Sequence, residues 1–173
     1  MKTEPRNALT EADPAVFDAI QHEQMRYAKA SYARYKPEQI MDIAENLLLY
    51  QFESGGWPKN VDWLKVLGDA DAARLRERGP GGSPTLDNRS TWSQVAYLAQ
   101  VHARTGLGRY KSAALRGLEY ILKEQRDSGG WRGADVDAIT FNDDVMVSVL
   151  RLLREVAAGR EPFQFTGDEV RER

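Results

Sequence analysis

Cysteine is absent from the 173-residue sequence, and histidine occurs only twice. The absence of cysteine excludes disulfide bonds, thiolate metal sites and cysteine nucleophiles within this sequence. His22 and His102 stand far apart and lack the short spacing of metal-ligand pairs, so we expect both to be ordinary structural histidines. The sequence therefore lacks the sulfur and imidazole clusters that bind softer metals.

The sequence also lacks an excess of charge of either sign and any long apolar run. Its 24 lysine and arginine residues nearly balance 26 aspartate and glutamate residues, for a formal net charge of -2. This balance gives no electrostatic footprint for nucleic acid or an anionic membrane, so we expect neither as a partner. No apolar run approaches a membrane span, and the first residues, MKTEPRNALTEADPAVF, lack the apolar region of a signal peptide.

Apolar residues recur at helical spacing along most of the chain, and no segment shows the sustained alternation of a half-buried strand. We therefore predict an all-α fold. The predicted helices run from Pro37 to Gly55-Gly56, near Ala70–Glu77, from after Asp87 to Gly106, from Tyr110 to Gln125, and from Asn142 to Ala158. Residues 1–36 are predicted to be an N-terminal arm or first helix, and residues 37–173 to form one domain.

One pattern occurs twice in the sequence. Gln-x-x-x-Gly-Gly-Trp spans residues 51–57 and residues 125–131, and each copy is followed later by a polar segment and an apolar helix. A shift of 55 residues places Asp87 on Asn142 and aligns the core positions of the two following helices. Equivalent helices joined by equivalent corners predict stacked helical hairpins. Because the chain offers only five to six helices, we predict a partial α/α toroid with long loops.

Four segments carry a resemblance to a known family. They are ENLLLYQFESGGWPKN, TLDNRSTWSQVAYLAQV, GRYKSAALRGLEYILKEQRDSGGW and ITFNDDVMVSVLRLLREVAAG. In this order, over roughly residues 37–168, they resemble the calcium-dependent pectate lyases of polysaccharide lyase family ten. The resemblance implies an α/α-toroid catalytic domain that cleaves polygalacturonate by β-elimination with calcium as cofactor. Members of the family are typically secreted or periplasmic.

The resemblance implies that Asp87 and Asp143 hold calcium together with the substrate. Carboxylates suit this hard cation, and the cation would stabilise the enolate-like charge that develops when the C5 proton of galacturonate is removed. The alternative is that both aspartates only cap the helices that follow them. Asp137 and Asp144 are candidates for outer ligands only.

The turn Trp57-Pro58-Lys59-Asn60 is the second candidate region. Lysine can neutralise a uronate carboxylate, and tryptophan can offer a face to a sugar ring. The alternative for Trp57 and Trp131 is that each packs in the core at a helix corner. The predicted substrate-binding residues are Trp57, Lys59, Asn60, Asn88 and Asp144.

Two features depart from the family pattern. The loop between the second Gly-Gly-Trp and the segment ITFND is shorter than in the family and lacks its aromatic and basic residues. The proton-abstracting arginine of the family lies downstream of Phe-Asn-Asp and has no counterpart up to Arg173. We therefore expect no catalytic residue in this sequence, weak or absent activity on polygalacturonate, and assembly with a missing C-terminal half or with another copy.

Two other functions remain open at this point. One is non-catalytic binding of acidic glycans or calcium on the same scaffold. The other is a triterpene-cyclase-like fragment, because the Gln-x-x-x-Gly-Gly-Trp repeats alone also resemble those of triterpene cyclases. We find no Asp-rich acid motif in an aromatic-lined setting, and aromatic residues make up only 9% of the chain. This last alternative is therefore the weakest of the three.

Overall fold

The structure, a computed structural model, describes residue 20 and residues 25–134, 137–141 and 144–173. Six α-helices lie wholly within these residues: α1 (Ile40–Leu49), α2 (Asp69–Arg78), α3 (Trp92–Thr105), α4 (Gly108–Lys123), α5 (Val145–Ala157) and α6 (Asp168–Arg171). Pairing of extended backbone in the same residues is limited to one isolated antiparallel bridge, between Arg34 and Lys65. The predicted all-α class is confirmed. No helix in the described part of the chain is long and apolar enough to cross a membrane.

The start of α3 differs from the sequence prediction. The helix begins at Trp92 rather than soon after Asp87. The residues between them include three with positive φ angles, namely Asn88 (48°), Arg89 (59°) and Thr91 (62°). Such angles are costly for residues other than glycine and cannot continue a right-handed helix. The residues before α3 therefore form a non-helical loop with left-handed backbone conformations, and they are not the first turn of the helix.

The interpretation of Asp87 as a helix cap is wrong, whereas Asp143 lies outside the described residues. The N-cap residue of α3 is Thr91, and Asp87 lies before it in the loop. The N-cap residue of α5 is Asp144, with φ of 60°, but its carboxylate makes no capping hydrogen bond. Both carboxylates instead have cationic side chains as partners, so helix capping does not explain these positions.

Helix α3 is the central helix of the fold. It packs most extensively against α4 and also contacts α1 and α5. Its buried residues are Ser93, Gln94, Val95, Tyr97, Leu98, Ala99 and Val101. The approach of α4 depends on Gly117, where a Cβ atom would lie 2.4 Å from Val95 Cγ2 and 2.8 Å from Trp57 Cζ3. The first Gly-Gly-Trp corner, α3 and α4 therefore pack together at Gly117, where no space remains for a side chain.

The first Gly-Gly-Trp corner ends α1 and returns the chain to the core. Gln51 Nε2 donates to Gly55 O at 2.8 Å, and Gly55 takes a φ of 100°, which favours glycine. Trp57 is fully buried, and its indole N–H donates to Leu47 O in α1 at 2.7 Å. A buried indole N–H requires such an acceptor, so Trp57 fixes the corner on its own helix.

The second corner has the same construction. Gln125 Nε2 donates to Gly129 O at 3.0 Å, and Gly129 takes a φ of 86°. Trp131 is buried, and its indole N–H donates to Ile121 O in α4 at 2.7 Å. The repeat seen in the sequence is therefore a repeated three-dimensional corner.

The described residues just before α1 pack on the loop that follows the first corner. Tyr35 N donates to Leu64 O at 2.7 Å. Arg34 binds the buried carboxylate of Asp62 through two hydrogen bonds, of 2.9 and 3.1 Å, and Tyr32 Oη donates to the same carboxylate at 3.0 Å. This segment is thus held by the domain, while the predicted boundary at residue 36 stays a prediction.

Candidate functional site

Hydrogen bonds to the backbone of residues 57 and 58 hold the turn after the first corner against the loop before α3. Thr85 N donates to Trp57 O at 3.0 Å. Ser90 Oγ donates to Pro58 O at 2.8 Å, and Trp57 N donates to Thr91 Oγ1 at 3.0 Å. The hydroxyl groups of Ser90 and Thr91 thereby provide hydrogen-bond partners for the backbone oxygen of Pro58 and the backbone N–H of Trp57. The consequence is that two predicted site regions, distant in sequence, lie side by side.

Lys59 and Asp87 form an ion pair at this junction. Lys59 Nζ lies 2.5 Å from Asp87 Oδ2, and the side chains are 29% and 7% exposed, respectively. Asp87 N is also held, donating to Thr85 Oγ1 at 3.0 Å. Gly133 closes the other side, because a Cβ atom there would lie 3.4 Å from Asp87 Oδ1. The carboxylate of Asp87 is therefore largely withdrawn from water and compensated by the Lys59 ammonium group.

Asn60 and Asn88 pair next to the ion pair. Asn88 Nδ2 donates to Asn60 Oδ1 at 3.0 Å, and the two residues take positive φ angles of 48° and 62°. Asparagine accepts this left-handed backbone more readily than most residues. Two amide side chains at matched turns thus extend the polar surface beyond Lys59.

Two residues that sequence reasoning missed reach the same asparagine. Tyr27 Oη donates to Asn60 O at 2.6 Å, and the guanidinium of Arg26 donates to Asn60 Oδ1. Both belong to the segment that the sequence predicts only as an arm or first helix. No local signal marks them, because their contact depends on how the segment folds back over the domain.

Arg89 and Asp144 form a second ion pair. Arg89 Nη2 lies 2.8 Å from Asp144 Oδ2, and the side chains are 41% and 51% exposed. Asp144 was predicted to bind substrate, whereas Arg89 was not selected. The pair joins the loop before α3 to the start of α5.

An open groove of about 370 Å³ lies beside the Arg89–Asp144 pair. Its walls include Trp92 from α3, Arg151 from α5 and Phe163 from the segment after α5. The indole N–H of Trp92 is buried and has no hydrogen-bond partner among the described residues. The sequence analysis counted Trp92 as an apolar residue of the helix, so this donor was not recognised.

Trp57 does not line the candidate site. Its ring is fully buried and donates to the backbone of α1, as described above. A ring without exposed surface offers no face to a sugar, so the substrate-binding prediction for Trp57 is corrected in favour of the core position. Trp131 occupies the equivalent core position at the second corner, with only 1% of its surface exposed.

Asp143 and Asn142 lie outside the described residues, so the predicted pairing of Asp87 with Asp143 around calcium stays a prediction. Within the described part of the chain, no group of three or more histidine, cysteine, aspartate or glutamate side chains could hold a metal ion. Asp87 nevertheless has the chemistry of a cation ligand, because its carboxylate is buried and already bound by the Lys59 ammonium. The carboxylate of Asp87 therefore suits a cation, and the ammonium group of Lys59 is bound there.

Asp137 has its own basic partners. Its carboxylate lies 2.5 Å from Arg126 Nη1 and 3.8 Å from Arg132 Nη1. The hydrogen bond from Arg126, followed by the charge of the same residue, holds the pKa of this exposed carboxyl below its usual value. Asp137 is therefore ionised and paired with arginines, and its role as an outer calcium ligand stays a prediction.

The chain is similar to known proteins of one kind. A family model described as pectic acid lyase matches residues 51–173. Among solved structures, a family 10 polysaccharide lyase from Cellvibrio cellulosa is 28% identical, with a TM-score of 0.64. The match covers 91% of this chain and 46% of that one, so the chain spans about half the length of the lyase. No curated protein is significantly similar.

A second solved structure agrees in fold. It is a mutant of the same Cellvibrio cellulosa lyase in complex with trigalacturonic acid, 24% identical, with a TM-score of 0.61 over 91% of this chain and 46% of that one. The predicted α/α-toroid fold class is confirmed. The family match also spans both Gly-Gly-Trp corners, so these corners no longer support the triterpene-cyclase alternative.

Proposed function

The chain belongs to the pectic acid lyase family, and from this premise we propose that it binds polygalacturonate at the junction of its Lys59 and Asp87 loops for calcium-assisted β-elimination. The observation that carries the proposal is the partly buried Lys59–Asp87 ion pair of 2.5 Å beside the Asn60–Asn88 amide pair. Since the chain spans 46% of the Cellvibrio cellulosa lyase, the activity of a whole enzyme is part of the proposal.

The chemistry of the junction suits a uronate. Lys59 supplies an ammonium group for a carboxylate, and the amide groups of Asn60 and Asn88 supply donors and acceptors for hydroxyl groups. Arg89 adds a guanidinium two residues after Asp87. The trigalacturonic acid bound to the related lyase is a ligand of this class, which supports an acidic glycan here.

Calcium fits the carboxylate of Asp87, with Asp143 as the second proposed ligand. When bound, calcium would neutralise the uronate carboxylate and make the C5 proton more acidic. Asp87 contributes a buried oxygen ligand on a rigid loop, and Thr85 holds the backbone of that loop. Lys59 then has to leave Asp87 Oδ2, and a uronate carboxylate offers its ammonium a new partner. Lys59 would thereby couple sugar binding to metal binding.

No base is assigned among the described residues. A protonated lysine or arginine cannot accept a proton. Arg89 is paired with Asp144, Arg132 lies 3.8 Å from Asp137, and Lys59 is paired with Asp87. These residues therefore bind and orient anions in the proposal, and they do not remove the C5 proton.

Calorimetry with trigalacturonate as the probe tests the site. We expect binding to residues 1–173 in the presence of calcium, and weaker binding with chelator, with Asp87→Asn or with Asp143→Ala. Asp71→Asn is the matched control, because Asp71 pairs with Lys65 at 3.1 Å on the surface. Binding that is insensitive to chelator and to both site variants contradicts the proposal.

A second function, calcium-dependent binding of acidic glycans without catalysis, is favoured by the paired state of the three basic residues. The two functions differ in one measurement, the ultraviolet absorbance of the unsaturated product formed from polygalacturonate. We expect little product from residues 1–173 with calcium. Robust calcium-dependent product that Asp143→Ala abolishes would show that a base is present and would restore the catalytic function to this chain.

A further inference from the structure

The described residues before α1 reach the proposed sugar site at Asn60. The side-chain oxygen of Asn60 accepts hydrogen bonds from Arg26 and from Asn88 Nδ2, the second at 3.0 Å. Its backbone oxygen accepts from Tyr27 Oη at 2.6 Å. Two donors on one oxygen atom lie within roughly 6 Å of each other, since each must be within hydrogen-bond distance of it. Arg26 is therefore next to Asn88.

We propose that Arg26 is a further uronate-binding residue, which extends the site of Lys59 and Asn88 by one sugar carboxylate. The inference rests on the proposed function and adds a residue that the family match, residues 51–173, does not include. Tyr27 is a positioning residue in this arrangement, because its hydroxyl holds the backbone at Asn60. Arg26 is the residue that would contact the sugar.

The chemistry of Arg26 suits this role. A guanidinium carries five N–H donors in a planar fork that matches the two oxygens of a carboxylate. The side chain is exposed, which makes it accessible to a polymer on the surface. Polygalacturonate carries one carboxylate on each sugar, so a chain bound at Lys59 presents further carboxylates on either side.

The segment that carries Arg26 is anchored independently of the site. Arg34 binds Asp62 through two hydrogen bonds, of 2.9 and 3.1 Å, and Asp62 is only 7% exposed. Asp62 Oδ1 also accepts from Leu64 N at 3.2 Å. Arg34 of this anchor and Tyr27, which binds Asn60, stand at different points of the segment, separated by residues 28–33. Arg26 is thus held at the site without a contribution from any bound ligand.

Calorimetry of oligogalacturonates with residues 1–173 and calcium tests the inference. We expect Arg26→Gln to weaken binding of trigalacturonate about fivefold to twentyfold, as the loss of one charge-assisted hydrogen bond implies. Arg26→Lys should recover part of the loss, because it keeps the charge but not the fork. Arg154→Gln, which removes an arginine paired only with its exposed neighbour Glu155 in the described structure, is the matched control.

Salt dependence separates contact with the ligand from a structural role. An exposed charge acting on a carboxylate is screened by salt, so the ratio of wild-type to Arg26→Gln affinity should shrink at high ionic strength. Tyr27→Phe should weaken binding while leaving that salt dependence unchanged. Equal binding by wild type and Arg26→Gln at low salt overturns the inference and leaves the proposed function standing. Absence of trigalacturonate binding by wild type overturns the proposed function and the inference with it.

Discussion

Arg89 and Asp144 occupy equivalent positions in the two repeats, and their side chains bind each other at 2.8 Å. Each residue immediately follows the polar segment of its repeat, and their φ angles are 59° and 60°. The shift of 55 residues that aligns the two helices also aligns this pair. The internal repeat thus brings its own equivalent loops into contact at the edge of the candidate site.

The Arg89–Asp144 pair should matter more for ligand binding than for folding. Its side chains are 41% and 51% exposed, and exposed pairs typically contribute about 1 kcal/mol or less to stability. We expect Arg89→Gln to lower the free energy of unfolding by less than about 1 kcal/mol and to weaken trigalacturonate binding more than Arg154→Gln does. Urea denaturation and calorimetry on the same samples measure both effects. A large loss of stability without a change in binding would make the pair purely structural.

Much of the scaffold could be predicted from the sequence because its signals are local. The helical spacing of apolar residues predicts the main helices, and the repeated Gly-Gly-Trp pattern predicts the corners. The start of α3 was predicted too early because Asn88 and Arg89 read as ordinary polar residues, whereas tertiary contacts hold them in left-handed conformations. A pattern of residue types does not reveal such backbone angles except at glycine.

Several residues of the candidate site could be named from the sequence, but their pairing could not. Lys59 was assigned to substrate and Asp87 to metal, and the sequence does not indicate that they bind each other. That pairing depends on backbone bonds between two loops, such as Thr85 N to Trp57 O. Arg26 was missed for the same reason, because its approach to Asn60 is set by the path of a preceding segment.

The core contains one polar residue whose replacement should stabilise the protein. Gln94 is fully buried in α3, and neither atom of its side-chain amide has a hydrogen-bond partner among the described residues. An unpaired buried amide costs about 1–3 kcal/mol, so we expect Gln94→Met to raise the free energy of unfolding by about 1 kcal/mol. Urea denaturation measures the change.

Asn46 is the matched contrast to Gln94. It is also buried, but its Nδ2 donates to Trp63 O and to Lys65 O, both at 2.8 Å. We expect Asn46→Leu to destabilise the protein by about 2–3 kcal/mol, because two backbone oxygens lose their donor. If Gln94→Met were as destabilising as Asn46→Leu, the amide of Gln94 would have a partner that the described structure does not include.

Gly117 should tolerate no side chain. A Cβ atom there would lie 2.4 Å from Val95 Cγ2 and 2.8 Å from the ring of Trp57, and both neighbours are fully buried. We expect Gly117→Ala to lower the free energy of unfolding by about 1–3 kcal/mol, despite the higher helix propensity of alanine. Gly108→Ala at the start of the same helix, where nothing lies within 4 Å, should be neutral or slightly stabilising. Thermal denaturation of both variants checks the difference, and equal effects would contradict this packing.

Alkaline pH should weaken the anchor of the segment before α1. Burial, and then the hydrogen bond to Asp62, raises the pKa of Tyr32 from 10.0 to about 12. Because the folded pKa is the higher one, the contribution of the protonated phenol is complete below pH 10 and is lost as pH rises through about 12. The stability difference between wild type and Tyr32→Phe should therefore shrink over that range in urea denaturation. A difference that stays constant to pH 12 would show that the phenol proton is not involved.

Removal of Lys59 should separate calcium binding from sugar binding. Its ammonium lies 2.5 Å from Asp87 Oδ2, so in the proposed site calcium would compete with an internal cation for the same oxygen atom. We expect Lys59→Met to bind calcium about tenfold more tightly than wild type without sugar, because the competing charge is gone and Asp87 is left uncompensated. In wild type, a uronate that accepts the ammonium should raise calcium affinity, and by linkage calcium should raise sugar affinity by the same factor.

In Lys59→Met, the factor by which calcium and sugar raise each other's affinity should be smaller than in wild type. The part that remains comes from direct contact between calcium and the uronate. Calorimetry of calcium with and without trigalacturonate measures both affinities, and Lys65→Met, which removes the partner of exposed Asp71, serves as the control. Near-ultraviolet circular dichroism establishes that the variant is folded. If folded Lys59→Met bound calcium no more tightly than wild type in the absence of sugar, Lys59 would not compete for the metal position. Asp87 would then lose its main support as the calcium ligand, since its buried carboxylate would hold only an internal ion pair.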